Sequence, residues 1–126
     1  MYKLISICAI CFLLVFSVFA DDYKKEILGS WYSLDDPTAK IEFMENSKVN
    51  FYKDDEIYST DKYFIVADCT GDTISVKDGK YLKTIDPAGE IECIEIQGIN
   101  LFGKSELWLM DKDAGQSMKY SRDKSE

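Results

Sequence analysis

From residue 29 onward, hydrophobic and polar residues alternate with a period of two in nearly every segment. Ala39, Ile41 and Phe43 alternate with Lys40 and Glu42, Val49 and Phe51 with Lys48 and Asn50, and Ile74 and Val76 with Thr73, Ser75 and Lys77. Successive side chains of a strand point to opposite faces, so this is the pattern of half-buried antiparallel strands. Turn-forming residues punctuate it at Glu45-Asn46-Ser47, at Thr70-Gly71-Asp72, and at Asp78-Gly79, a two-residue hairpin signal of the kind that needs positive φ. Further breaks fall at Asp35-Asp36-Pro37, 53–56, 86–89, 98–103 and 111–115. The pattern predicts nine short strands, at 29–34, 39–45, 48–53, 61–69, 72–78, 80–86, 90–97, 105–111 and 116–122. Connections this short favour hairpins throughout. The expected fold is therefore all-β, an antiparallel up-and-down meander barrel of eight or nine strands rather than a sandwich. Only 22–28 reads as helical, with Tyr23, Ile27 and Leu28 on one side of a short turn that would lid the closed end.

One strand breaks the alternation. Ile91 and Cys93 share one parity and Ile94 and Ile96 the other, so they cannot all face one side of a regular strand. Either a bulge near Cys93 realigns them, or the strand is covered on both faces with Cys93 outside. At the head of the first strand stands Gly29-Ser30-Trp31. Glycine lets the chain bend tightly into the strand, and the indole can plug the end of a barrel. A surface turn followed by an ordinary core tryptophan is the alternative.

The first twenty residues follow a different rule. Lys3 precedes an uncharged stretch from Leu4 to Ala20, ending Val18-Phe19-Ala20 before Asp21-Asp22. A basic start, an apolar centre and a small residue at the end make a signal peptide, and residues 1–20 are expected to be cleaved. An uncleaved anchor is the alternative, because the stretch approaches the roughly 17 to 25 residues of a membrane span. Cleavage leaves 21–126 as a single domain of about a hundred residues, secreted or periplasmic, with no stable membrane insertion. The formal charge of −8 argues against nucleic acid as a partner, since phosphates require lysine and arginine.

Cys8 and Cys11 lie inside the leader, so the exported chain keeps two cysteines, Cys69 and Cys93. An even count in an exported chain reads first as a disulfide, closing a loop of roughly 25 residues and contributing about 3 kcal/mol if unstrained. No histidine is present and no Cys-x-x-Cys survives cleavage, so a zinc site lacks ligands. The acidic runs Asp35-Asp36, Asp54-Asp55-Glu56 and 111–115 read as solvated hairpin ends, because none has the alternating ligands and terminal glutamate of a calcium loop. Ser30 has no base beside it and no strand-to-helix context for a nucleophile. No catalytic residue, metal or cofactor is expected, and the protein reads as non-enzymatic.

Ile27-Leu28-Gly29-Ser30-Trp31, then Ile41-Glu42-Phe43 and a hairpin into Val49-Asn50-Phe51, resembles the opening of the small lipocalin-like proteins of the calycin superfamily. Glu106-Leu107-Trp108-Leu109, the turn after it and Met118-Lys119-Tyr120-Ser121-Arg122 resemble that family's last two strands. The resemblance covers most of residues 27–122. It implies a barrel in which a basic residue after the last strand packs across the first-strand Trp31. Arg122 is the matching position, with Lys119 the second choice; a frayed, solvated arginine is the alternative. A cation over an indole face contributes roughly 0.5 to 2 kcal/mol. The chain departs from larger lipocalins in its length and in lacking a long helix after the barrel, which implies a smaller cavity.

Aromatic residues are the remaining clue. Tyr23, Tyr32, Tyr52, Tyr58, Tyr63, Tyr81 and Tyr120, with Trp108 and Phe102, make up either the core and its edge or an apolar pocket rimmed by phenols. By parity Tyr52 and Trp108 face outward. The candidate ligand contacts are Leu101 and Phe102, on a loop expected at the open end, with Tyr63 and Tyr81. Two functions follow as expectations: a secreted binding protein holding a small apolar ligand in the barrel, or an interaction module, such as an inhibitor of a secreted enzyme, docking a protein partner.

Overall fold

The computed structural model describes residues 22–70 and 74–124, so the expected leader lies outside the described residues. A single helical turn, α1 (Tyr23–Glu26), leads into eight strands: β1 (Gly29–Ser33), β2 (Ala39–Phe43), β3 (Lys48–Lys53), β4 (Glu56–Val66), β5 (Tyr81–Ile85), β6 (Ile91–Ile99), β7 (Glu106–Asp111) and β8 (Gln116–Ser121). Each strand pairs antiparallel with the next, and β8 returns to β1 through Tyr32 opposite Ser121 and Ser33 opposite Tyr120, closing a meander barrel. Closure removes the free edges that an open sheet would expose. No described helix is long and apolar enough to cross a membrane.

The period-two pattern sorts the side chains as expected. Trp31, Ile41, Phe43, Val49, Tyr63, Ile65, Leu82, Ile96, Leu107 and Leu109 point inward and form one buried cluster with Tyr23 and Ile27 of the entry turn. Fully burying a large apolar side chain contributes about 1.5 to 3 kcal/mol, so this lining supplies the main drive to close.

Two strand expectations are corrected. Of the strand expected at 72–78, residues 72 and 73 lie outside the described residues and 74–78 form no strand: β4 pairs directly with β5, from Lys62 opposite Ile85 to Val66 opposite Tyr81. The β3 ladder stops at Lys62, which leaves the other edge of β4 uncovered beyond it. The connection folds back there instead, where the Val76 N–H donates to the Ile65 carbonyl and the Ser75 hydroxyl accepts from the Ile65 N–H. Ile74 is left largely exposed. Gly79 is needed for close approach rather than for a positive-φ hairpin, since a Cβ there would stand 2.8 Å from the Ile65 backbone.

The second correction concerns β4, which begins at Glu56 rather than residue 61. Asp54 and Asp55, at φ 51° and 65°, form the two centres of a tight hairpin that pairs Lys53 with Glu56 and recruits 57–60 into the ladder. Positive φ at both central residues is what a turn matched to strand twist requires, and aspartate tolerates it.

The broken alternation around Cys93 also resolves. The bulge lies between Ile96 and Gly98, so Ile91, Cys93 and Glu95 face outward while Ile94, Ile96 and Ile99 face the core. Cys93 is joined to Cys69 on the outside of the barrel, with Cα atoms 6.1 Å apart. Lys83 lies opposite Cys93 on the outer face and is only 3% exposed.

Candidate functional site

Because the strands run alternately up and down, the barrel has two distinct ends. The β2–β3, β4–β5 and β6–β7 connections lie at the end where the chain enters, and the other hairpins lie opposite.

At the entry end the interior is plugged. Trp31 is 0% exposed and its Nε1–H donates to the Ile27 carbonyl at 2.7 Å. The Arg122 guanidinium lies 3.7 Å from the indole centroid, and its Nη2 donates to the Glu26 carbonyl at 2.7 Å. Gly29, at φ +103°, makes room for it, since a Cβ would meet Arg122 Nη1 at 2.7 Å. Arg122 therefore holds the position expected of it, and Lys119 instead stands over Trp108 on the outer face. Tyr63, expected as a ligand contact, belongs to this plug: its hydroxyl donates to the Met44 carbonyl at 3.0 Å and its ring meets Phe43 edge-on at 5.0 Å. Burial raises its pKa.

Leu101 and Phe102 are also at the entry end, and their expected place at the open end is corrected. They sit in the 3-10 turn Leu101–Gly103 between β6 and β7, with Leu101 packed under Gly98 and Phe102 88% exposed. The extra strand expected at 72–78 inverts the up-down order of everything after it, which moves this loop to the wrong end. Tyr81, the fourth candidate, faces outward on β5, where Lys112 Nζ lies 5.8 Å from its ring. None of the four lines the barrel cavity.

That cavity opens at the far end. It measures about 160 Å³, and every strand except β1 contributes to its wall. Ile41, Phe43, Leu82, Ile94, Leu109 and Met118 form an apolar floor, with Phe51, Tyr58 and Tyr120 higher up. Burial, with the charges of Tyr58 and Asp35 adding to it, pushes the Tyr120 phenol up to about 12.

Two polar features enter this apolar calyx. Thr84 is 4% exposed and pairs with Tyr63 and Glu92, so its side chain faces the lumen. No hydrogen bond joins its hydroxyl to another described residue, and since no buried side-chain oxygen among them lacks a partner, the hydroxyl is open to the cavity it lines. Glu92 lines the same cavity from β6. The sole cationic residue in the lining is Lys40, whose Nζ stands 4.0 Å from the Tyr52 ring, a side chain that bonds Glu42 on the outer face.

The wall has a side opening. β4 pairs with β5 only from Lys62 onward, so 57–61 run beside the turn at 86–90 without a ladder between them. A second cavity of about 180 Å³ fills that gap and shares Phe51, Tyr58, Thr84 and Glu92 with the calyx. Asp61, 9% exposed, lies in it and accepts from the Ser59 hydroxyl.

The acidic hairpin ends are occupied with their own turns. Asp36 accepts from the Thr38 backbone and hydroxyl and from Lys53, and these bonds lower its pKa to about 2. Asp111 accepts from the N–H groups of Asp113 and Ala114. No cluster of three or more metal-ligating side chains occurs among the described residues. Alternation contained the missed signal for Thr84 and Glu92, since both share the inward parity of Leu82 and Ile94. Compared with protein-family models, with curated proteins and with solved structures, the chain matches none.

Proposed function

We propose that the protein is an exported, lipocalin-like binding protein that holds a small, largely apolar ligand in the open end of its barrel. The observation that carries this reading is the unfilled calyx of about 160 Å³ above a plugged floor. An apolar cavity of roughly 150 Å³ accommodates benzene, so the matching ligand has a single ring or its aliphatic equivalent. Membership of the calycin superfamily is part of the same proposal, supported by Gly29, Trp31 and Arg122 meeting at the closed end of an up-and-down barrel. Export is supported by the leader and by the Cys69–Cys93 disulfide, which persists in oxidising compartments.

The test is a titration of isotope-labelled protein with benzyl alcohol and benzylamine, followed by amide shifts. Saturable shifts at Leu82, Thr84, Ile94 and Leu109, with the Trp31 Nε1–H unmoved, support the reading. Failure of both compounds to move the calyx resonances rejects it.

A second reading is favoured by one observation. Phe102 projects from the entry end at φ 57° and is 88% exposed, as a docking residue for a protein partner would be. In that case Phe102→Asp abolishes partner binding while the calyx titration gives no signal. Under the carrier reading the same substitution leaves calyx binding unchanged.

A further inference from the structure

Resting on the carrier reading, we infer that the calyx is selective for a small organic cation, a primary amine on a single-ring body, rather than for a neutral apolar ligand. Thr84 carries the argument. The residue is 4% exposed with its side chain towards the lumen, and its hydroxyl, with no partner among the described residues, is open to the cavity. An empty cavity leaves that hydroxyl to water, and a ligand that displaces the water loses affinity unless a polar end at that depth replaces its hydrogen bond.

The surrounding charge sets the sign of that end. Glu92 lines the calyx beside Thr84, and Asp61 lines the adjoining opening that Thr84 and Glu92 share. Ion pairs among the described residues join Lys25 to Asp22, Lys53 to Asp36 and Lys112 to Glu95, and none of these neutralises Glu92 or Asp61. Lys40, the cation of the lining, is engaged with the Tyr52 ring outside. An anionic ligand would meet two carboxylates, and a neutral one would leave Asp61, 9% exposed, uncompensated where charges are screened less than at an open surface. A primary ammonium has three N–H donors, matching the two carboxylates and the threonine hydroxyl. The faces of Phe51, Tyr58 and Tyr120 offer the same cation further attraction, and the apolar floor takes the ring.

The experiment compares three ligands of one size near neutral pH: benzylamine, which is protonated, benzyl alcohol, which is neutral, and benzoate, which is anionic. Affinities come from the amide-shift titration. Benzylamine is expected to bind about ten-fold or more tightly than benzyl alcohol, with benzoate weakest, and high salt narrows the gap. Glu92→Gln, at an exposed position, and Asp61→Asn, checked for an unchanged melt, should each erode the amine's advantage, while Phe102→Asp leaves it intact. Equal binding of amine and alcohol, or an advantage that survives both carboxylate substitutions, overturns the inference and leaves the carrier reading standing. If no compound moves the calyx, both fail.

Discussion

The two ends of the barrel are built from the same strands, and they differ in how buried polar groups are treated. At the entry end the Trp31 indole N–H, the Tyr63 hydroxyl and the Arg122 guanidinium all reach backbone carbonyls. At the open end Thr84 is as deeply buried, and neither its hydroxyl nor that of Tyr120 has a hydrogen-bond partner among the described residues. Fully partnered polar groups in a low-dielectric interior lock one arrangement, whereas a hydroxyl open to a cavity stays available to water or to a bound molecule. The first end is therefore locked as a foundation, and the second keeps an open cavity, the receptacle of the proposed function.

The comparison breaks most readily at Trp31. Trp31→Ala should cost about 3 to 5 kcal/mol in chemical denaturation. Trp108→Ala, which removes an outer-face ring held by Glu106 and Lys119, should cost well under half of that. Equal costs would mean that the entry end is not the foundation. Next in size is the strap at that end: replacing Cys69 and Cys93 together by serine should cost about 3 kcal/mol in the same assay, the value expected for opening a loop of this length. A calyx titration on the double variant should be unchanged.

Arg122→Ala loses the indole contact and the bond to Glu26, and should cost about 1 to 2 kcal/mol. Arg122→Lys should recover part of that in thermal melts, because an ammonium keeps the charge without the planar fork. The sharpest contrast uses two hydroxyl deletions. Tyr63→Phe leaves the Met44 carbonyl without its partner and should cost about 1 kcal/mol, whereas Thr84→Val removes a hydroxyl that has none and should be neutral or slightly stabilising. A Thr84→Val cost matching that of Tyr63→Phe would show that the open end is satisfied after all.

The smallest effect appears only in alkali. Tyr120 is pushed up to about 12 in the fold, from an ordinary value near 10, so its neutral form is favoured there. That contribution is fully present below pH 10 and is lost as pH rises through 12. Urea midpoints at the two ends of this window should fall further for the parent than for Tyr120→Phe.

The strand alternation, the plug at Trp31, its cover by Arg122 and the Cys69–Cys93 pairing were all legible in the chain, because each depends on local period, residue type or arithmetic. The end at which Phe102 stands was not. It depends on whether the chain crosses the barrel an even or odd number of times before residue 99, and that count turned on 74–79, a segment with strand-like alternation. Its fate was decided by competition between distant partners: β5 took one edge of β4, leaving Ser75 and Val76 only to cap Ile65. One clue was available, since Arg122 can return to Trp31 only if the strand count is even. The inward parity of Thr84 and Glu92 could be read from the sequence. That Thr84 is left without a partner, beneath a wall that β4 and β5 fail to close, is set by what six other strands do not supply, and only the tertiary structure decides that.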